Sequence, residues 1–285
     1  MRLTVGLAQI YPQLADLNKN LELHLQQIEE AHAQGVQLLV FPELSMTAYQ
    51  VQDLVSEIAM KANEQHPIFK QLLNASQALD LVIGFVHQDT RNRFYIADAY
   101  LSKGEIVHIH HKLYLPTYAM FDEMRYFAKG NHVRAFNTQW GRMGMLICED
   151  FWHVSPAYLL WMDGADIMIL NSASPGRGLN QEEQLGGSRW VELVTQAYGS
   201  MFTSFIIHAN RVGYEDGKVF WGGSSIIDPN GNTLAKAPYF DEALLIHEID
   251  LNQLHRTRSR LPLLRDERPG LVKRELNRIL SENLD

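Results

Sequence analysis

The chain has 285 residues, of which 46% are hydrophobic and 20% are charged, and its formal net charge at pH 7 is -8. Such a chain can bury a sizeable core, and its negative charge without basic blocks excludes nucleic acid from the expected partners. The single cysteine excludes an internal disulfide and a cysteine-rich zinc site, so we expect a reducing compartment, the cytoplasm. No apolar window has the length of an export signal or a membrane span, and we expect neither.

The N-terminal part alternates between strand and helix patterns. The segment LTVGLAQI at 3–10 is typical of a buried strand. Apolar residues then recur at helical spacing over 17–31, where Asp16 can cap the start and Gly35 suits the end. The run VQLLVF at 36–41 predicts the next strand. Strand, helix and strand with short connections predict parallel neighbours in a sheet.

The rest of the chain repeats this alternation and adds antiparallel pieces. YIADAYLS and EIVHIHHK flank a Lys103-Gly104 turn, and two strand patterns flank a turn at 228–231, so the sheet is predicted to be mixed. Without a linker or repeat, we expect one domain over 1–285 with a charged C-terminal arm from about residue 256. The other predicted elements are helices at 65–78 and 156–165 and strands at 81–86, around 132–137, at 144–148 and at 166–171.

Three polar residues stand at the ends of predicted strands. Glu43 ends LLVFPE, Lys112 ends IVHIHHK and Cys148 ends GMLIC. In α/β folds the carboxyl ends of neighbouring strands open onto one crevice, so residues far apart in sequence can meet there. We therefore expect these three side chains to converge.

The three residue types form a consistent set for nucleophilic catalysis. A thiol becomes a good nucleophile as the thiolate; the Lys112 ammonium would lower its pKa and the Glu43 carboxylate can take its proton. The ammonium can also stabilise the oxyanion of a tetrahedral intermediate, with the backbone N–H of Glu149 as a second donor.

Other interpretations of these residues stay open at this point. Taken alone, Cys148 is typical of a small buried apolar residue, Glu43 of a helix N-terminal carboxylate and Lys112 of a surface cation. Cys148 could also pair with a histidine such as His153, as in cysteine proteases, although nearness in sequence does not ensure contact.

A metal or nucleotide site has weaker support. His108 and His110 share one face of a strand and, with His111, could bind zinc, but no H-E-x-x-H pattern accompanies them, so packing or hydrogen bonding is the better interpretation. The glycine pairs at 186–187 and 222–223 lie in no phosphate-binding frame. We expect no metal and no cofactor.

Three longer blocks then point to a family. FPELSMTAY around Glu43, HKLYLPTYAMFDEMRYFAKG around Lys112 and GRMGMLICEDFW around Cys148 resemble the signature blocks of the nitrilase superfamily of carbon-nitrogen hydrolases, in the same order. The likeness spans essentially the whole chain. It implies an α/β fold, a four-layer α-β-β-α sandwich with two mixed sheets, and subunits that pair through helices near the nucleophile as a homodimer or higher homo-oligomer.

The resemblance also implies roles for particular residues. Glu43 would be the general base, Lys112 the oxyanion-stabilising cation and Cys148 the nucleophile. A second family glutamate, which orients substrate and base, corresponds to Glu123. The residues that would lie near the substrate are Tyr49, Tyr118, Ser174, Arg177 and Trp221.

Within the superfamily, FPELSMTAYQVQDL, LPTYAMFDEMRYF and NSASPGRG are similar to the glutamine-hydrolysing domain of glutamine-dependent NAD synthetases. The Ser-Gly-Gly ATP-binding motif of the synthetase domain is not in these 285 residues, so we expect no NAD synthesis from them alone. Gly176-Arg177-Gly178 stands where those domains carry a bulkier stretch, which weighs against glutamine.

The resulting expectation is a thiol amidohydrolase that cleaves a small linear carboxamide or N-carbamoyl substrate to an acid and ammonia. A nitrilase with the same three residues is one alternative. A glutaminase subunit that works only with a partner enzyme is another.

Overall fold

Two six-stranded sheets form the centre of the fold in a computed structural model that describes residues 1–176 and 186–282. In chain order the strands are β1 (Arg2–Gln9), β2 (Leu38–Val40), β3 (Asp80–Gln88), β4 (Phe94–Ser102), β5 (Glu105–His111), β6 (Phe136–Thr138), β7 (Gly141–Ile147), β8 (Ile167–Ser172), β9 (Phe205–Asn210), β10 (Val212–Glu215), β11 (Lys218–Trp221), β12 (Ser225–Ile227), β13 (Thr233–Lys236) and β14 (Ala243–Asp250). The helices are α1 (Leu17–Ala33), α2 (Val55–Ile58), α3 (Pro67–Ala75), α4 (Val154–Met162), α5 (Gly186–Met201), α6 (Asn252–Arg260), α7 (Leu263–Asp266) and α8 (Pro269–Glu282).

Both sheets have a parallel centre with antiparallel edges. The first has the order β14-β1-β2-β3-β4-β5, in which β1, β2 and β3 are parallel. The second has the order β13-β12-β9-β8-β7-β6, in which β7, β8 and β9 are parallel. The outer strands pair antiparallel to these centres, and β10 and β11 form a separate hairpin. The prediction of mixed sheets is confirmed.

The sheets pack face to face and helices cover their outer faces. Leu3, Val5 and Leu7 alternate along β1 and lie in one apolar cluster with Met143 and Met145 of β7, between the two sheets. Residues of α1 and α3 cluster on the outer face of the first sheet, and residues of α4 and α5 on the outer face of the second. The four-layer α-β-β-α sandwich is therefore the observed architecture.

The helix cap and the turn predicted from the sequence agree with the structure. The Asp16 carboxylate accepts a hydrogen bond from the Lys19 N–H at 3.1 Å and caps α1. Gly35 follows α1 with a φ of +77°, and Lys103 and Gly104 turn with positive φ values of +53° and +80°. The strand expected around 132–137 is a short one that begins at Phe136.

The C-terminal helices lie on the surface. α6 is anchored by buried Leu254 and Thr257, and Arg258 pairs with Asp166 at 2.5 Å. α8 has no buried residue. In the ranges that the structure describes, no helix combines the length and the apolar composition that crossing a membrane requires.

Gly84 in β3 allows the loop that carries Glu43 to lie against the sheet. A Cβ at Gly84 would lie 2.3 Å from the Pro42 carbonyl oxygen and 2.5 Å from the Leu44 nitrogen. The Met46 N–H donates to the Gly84 carbonyl at 3.0 Å and holds the loop there. Because these neighbours are backbone atoms, they cannot rotate away, and only glycine fits without a shift of the loop.

We predict that Gly84→Ala lowers the free energy of unfolding by about 1–3 kcal/mol, since its methyl group displaces the loop after β2. Urea unfolding followed by circular dichroism measures the change. Gly270→Ala in α8 is the control, because its Cβ meets no atom within 4 Å. Equal stability of both variants and the parent chain would contradict the close approach.

Candidate active site

The structure brings Glu43 and Lys112 into direct contact beside Cys148. Glu43 follows β2, Lys112 follows β5 and Cys148 follows β7, so both sheets contribute to the site. Lys112 Nζ donates to Glu43 Oε1 at 2.7 Å. The charges of Glu43 and Lys112 both act on the Cys148 thiol, which places the three groups in one electrostatic cluster.

The Lys112 ammonium is buried between two carboxylates. Nζ also donates to Glu123 Oε1 at 2.8 Å, and the Lys112 and Glu43 side chains are fully buried. Burial by itself would lower the pKa of Lys112, but the charges of Glu123 and Glu43 together raise it well above its ordinary value. Lys112 is therefore a permanent cation.

Glu43 is held from both sheets. Its Oε1 accepts from Lys112 of the first sheet, and its Oε2 accepts from the Ala173 N–H at 2.7 Å, directly after β8 of the second sheet. With both oxygens bound in a fully buried position, the carboxylate has one defined orientation. The Ala173 N–H was not among the groups that the sequence indicated.

Glu123 sits on the far side of the lysine with one oxygen uncommitted. The Tyr49 hydroxyl donates to Glu123 Oε1 at 2.5 Å, whereas Oε2 is buried without a hydrogen-bond partner among the described residues. Burial raises the pKa of Glu123 from its ordinary value of 4.5 to about 7, with Glu43 adding to this rise and Lys112 opposing it. Glu123 therefore exchanges a proton close to neutral pH.

Cys148 begins a tight turn with a strained backbone. Its φ is +48°, in the left-handed region, and the turn runs over Cys148–Trp152. Burial, followed by the negative charge of Glu43, raises the pKa of the thiol well above its ordinary value, and the opposing Lys112 does not compensate. Lys112 lowers this pKa, as expected, but burial and Glu43 outweigh it, so the net shift is upward. The thiol therefore needs a base to give up its proton.

Asp150 ties the nucleophile turn to the lysine segment. Its Oδ2 accepts from the Ile147 N–H at 3.1 Å and bonds His110 Nε2 at 2.9 Å. Its Oδ1 accepts from the N–H groups of Leu113 and Tyr114 at 2.8 and 3.0 Å. One buried carboxylate therefore fixes the residue before Cys148 and the residues after Lys112. Sequence reasoning missed this role, although the aspartate stands two places after the cysteine.

A second buried ion pair positions the backbone of Tyr49. Arg211 is fully buried, and its Nη1 donates to Glu215 Oε2 at 2.5 Å. Glu215 Oε1 in turn accepts from the Tyr49 N–H at 2.9 Å and from the Gln50 N–H. The phenol that bonds Glu123 is thus positioned through the β10–β11 hairpin. No sequence motif pointed to Arg211 or Glu215.

A cavity of about 330 Å³ opens at the thiol. Ser174 and Trp221, both expected near the substrate, line it, together with Glu149. Tyr118 donates to both Glu149 carboxylate oxygens, at 3.0 and 2.9 Å. Arg177 lies outside the described residues. The other described lining residues are Phe121, Cys148, Trp152, Pro175, Gly186, Gly187, Trp190 and Val191.

Tyr49 occupies a different place from the cavity wall. Its ring is buried against Phe121 and Phe220, and its hydroxyl is committed to Glu123. Burial and the charge of Glu123 raise the pKa of Tyr49 well above its ordinary value, so the phenol stays protonated and donates. Its contacts make it a support of the carboxylate cluster.

The histidines singled out in the sequence have separate partners. His153 stacks on Tyr114 with ring centroids 3.8 Å apart, and its Nε2 lies 3.9 Å from Glu149 Oε1. His110 bonds Asp150, while the ring of His108 stacks on Phe136. His111 bonds His87 and stacks on Tyr95. Over residues 1–176 and 186–282, no group of three or more potential ligand side chains is arranged to hold a metal ion.

The family model described as "Carbon-nitrogen hydrolase" matches residues 4–259, which is most of the chain. This chain belongs to the carbon-nitrogen hydrolase family. The glutamine-dependent NAD(+) synthetase of Acinetobacter baylyi is 30% identical over 249 residues, which cover 87% of this chain and 44% of that protein. The hydrolase chain thus spans less than half the length of the synthetases it matches.

Two proteins of similar size also match the carbon-nitrogen hydrolase chain. A probable nitrilase of Schizosaccharomyces pombe is 27% identical over an alignment of 286 positions. The alignment covers 97% of this chain and all of that protein. The crystal structure of a carbon-nitrogen hydrolase from Helicobacter pylori superposes with a TM-score of 0.84 at 23% identity, covering 97% of this chain and 99% of that one. That structure supports the four-layer fold.

We predict that Asp150→Asn lowers the free energy of unfolding of the hydrolase by about 1–3 kcal/mol. An amide can replace only one of the two accepting oxygens, so a buried N–H or the His110 ring loses its partner. Denaturant unfolding measures the change. Asp122→Asn, whose side chain is 60% exposed, is the matched control and is expected to change stability by less than about 0.5 kcal/mol. Similar losses in the two variants would contradict the linking role of Asp150.

We predict that Glu123 makes the hydrolase less stable as the pH rises from about 4.5 to about 7. Its raised pKa means that the folded state binds this proton more tightly than the unfolded state, so stability falls as the proton is removed. Glu123→Gln should reduce the difference in the free energy of unfolding between pH 5 and pH 7.5, measured by urea unfolding. Exposed Glu57→Gln serves as the control. An unchanged slope in Glu123→Gln would count against the raised pKa.

Proposed function

We propose that the chain is a thiol amidohydrolase that cleaves a small linear carboxamide or N-carbamoyl substrate to an acid and ammonia through a cysteine thioester. The observation that carries this proposal is the buried Lys112 ammonium, shared by Glu43 and Glu123 next to Cys148 at the cavity. Together, Cys148, Glu43 and Lys112 would provide a nucleophile, a base and a fixed positive charge in one place.

In the first step Glu43 accepts the thiol proton as the Cys148 sulfur attacks the carbonyl carbon. The raised pKa of the thiol makes this concerted transfer necessary, because little thiolate exists beforehand. The negative charge that develops on the carbonyl oxygen is stabilised by Lys112 and by the backbone N–H of Glu149. The proton moves within the cluster, so no new net charge is buried.

In the second step the tetrahedral intermediate collapses and the carbon-nitrogen bond breaks. Glu43 returns its proton to the departing nitrogen, which leaves as ammonia, and the acyl group remains on the sulfur as a thioester. A water molecule, deprotonated by Glu43, then attacks the thioester carbon. The acid is released and the proton returns to the Cys148 sulfur, which completes the cycle with atoms and charge balanced.

The uncommitted Oε2 of Glu123 suits a role at the same centre. Glu123 bonds Lys112 and Tyr49 through Oε1, and Oε2 is the buried acceptor that still lacks a partner. We propose that Glu123 orients Lys112 and the substrate amide. Its pKa of about 7 makes the charge of the cluster sensitive to pH near neutrality.

Membership of the carbon-nitrogen hydrolase family supports the hydrolytic chemistry. The names of the relatives favour two further candidates: a glutaminase subunit, from the glutamine-dependent NAD synthetases, and a nitrilase, from the probable nitrilase. A nitrilase would use the same nucleophile on a nitrile carbon, and a glutaminase would use it on the carboxamide carbon of glutamine. We prefer an amide to a nitrile as substrate because the cluster supplies a proton for a leaving amine, which attack on a nitrile does not release in its first step.

We predict that Cys148→Ala abolishes ammonia release from amides, and that Glu43→Gln lowers kcat by roughly 10²- to 10⁴-fold because general base catalysis is lost. Ammonia release from a mixed amide library measures activity, and intact-protein mass spectrometry detects the acyl adduct on Cys148. Glu29→Gln, exposed on α1, is the control for the loss of a carboxylate. Full activity of Cys148→Ala would end the proposal.

Product analysis in the same experiment separates the alternatives. Conversion of a nitrile to its acid while the matching amide is untouched would favour the nitrilase. Release of ammonia from glutamine only in the presence of a synthetase-like partner would favour the glutaminase subunit. Either result would overturn the amidase proposal, although the roles proposed for Cys148, Glu43 and Lys112 would still apply.

A further inference from the structure

Four of the eleven described residues that line the cavity at Cys148 are aromatic. Phe121, Trp152, Trp190 and Trp221 all line it, and three of these four rings are indoles. The chain has five tryptophans in all, so most of its indole side chains are gathered at this one place. Aromatic side chains bury large apolar areas and prefer to stack on other rings.

One wall of the cavity is flat and fixed relative to the nucleophile. The Trp152 and Trp190 rings are stacked with centroids 3.6 Å apart and an angle of 9° between their planes. Trp152 ends the same tight turn that Cys148 begins, and Trp190 belongs to α5. The stacked pair therefore joins the nucleophile turn to α5.

The charge among the described lining residues of the cavity is negative. Glu149 is the charged side chain among the described lining residues, and both its oxygens accept from the Tyr118 hydroxyl. None of those lining residues carries a positive charge that could pair with a substrate carboxylate.

The volume fits a ring with a short chain. A cavity of about 150 Å³ is large enough for benzene in another protein, and this cavity measures about 330 Å³. This volume leaves room for a phenyl group joined to the carboxamide by a short methylene chain.

Resting on the proposed function, we infer that the preferred substrate is a carboxamide whose acyl group ends in an aromatic ring. The ring packs against the indole wall while the carboxamide carbon lies at Cys148. Burying a phenyl group is expected to raise kcat/KM roughly ten- to hundredfold over a short aliphatic amide.

Steady-state ammonia release tests this inference with four substrates: acetamide, butyramide, 3-phenylpropionamide and L-glutamine. The expected order of kcat/KM places 3-phenylpropionamide at least tenfold above acetamide and above glutamine. Trp190→Ala is expected to raise KM for 3-phenylpropionamide about tenfold and to lower kcat/KM for this substrate more than for acetamide. Trp190→Phe, which keeps a ring, should restore most of the loss.

The matched control is Leu193→Ala, since Leu193 is 57% exposed on the same helix and is not a lining residue. It should leave all four substrates unaffected. If glutamine or acetamide is the best substrate, or if Trp190→Ala lowers activity on all amides equally, the substrate class is wrong although the amidase proposal stands. If no amide releases ammonia or acylates Cys148, both proposals fail together.

Discussion

The arrangement of the site depends on one buried ammonium group that must be neutralised. Lys112 is fully enclosed, and a charge in such a position costs several kcal/mol unless paired groups replace its water. Glu43 and Glu123 provide that pairing at 2.7 and 2.8 Å. The catalytic base is thus also the structural counter-ion of the lysine, so chemistry and stability share the same atoms. The remaining contacts of the site keep this triplet in register with the thiol.

The parts of the site that the sequence predicted are those governed by local patterns. Apolar runs that end in a polar residue mark strand ends, and parallel strands direct such ends to one edge of a sheet. This reasoning placed Glu43 and Lys112 together, and the helix cap at Asp16 and the Lys103-Gly104 turn followed from local turn and cap chemistry. The four layers came from the likeness of three long blocks to a known family.

The features that escaped prediction depend on partners far apart in sequence. The Ala173 N–H reaches Glu43 across 130 positions, and Glu215 reaches Tyr49 across 166, with no motif to signal either contact. The direction of the net pKa shift of the thiol could not be predicted, because it depends on how burial and four charges balance in space. The strand predicted over 36–41 was overextended, because the apolar run continues to Val36 and Phe41 on either side of the observed β2 (Leu38–Val40).

The pairing of β1 with β14 bears on how the chain is made. Arg2 lies opposite Asp250 and Gln9 opposite Ala243. One edge of the first strand therefore stays unpaired during synthesis until residues 243–250 have been made. At ribosomal speeds of about 5–20 residues per second, that wait lasts roughly 10–50 s. During this interval the nascent chain exposes a bare strand edge rich in valine and leucine, the kind of surface that attracts chaperones or other unfinished chains. Completion of the first sheet is therefore a late, length-limited event in biosynthesis.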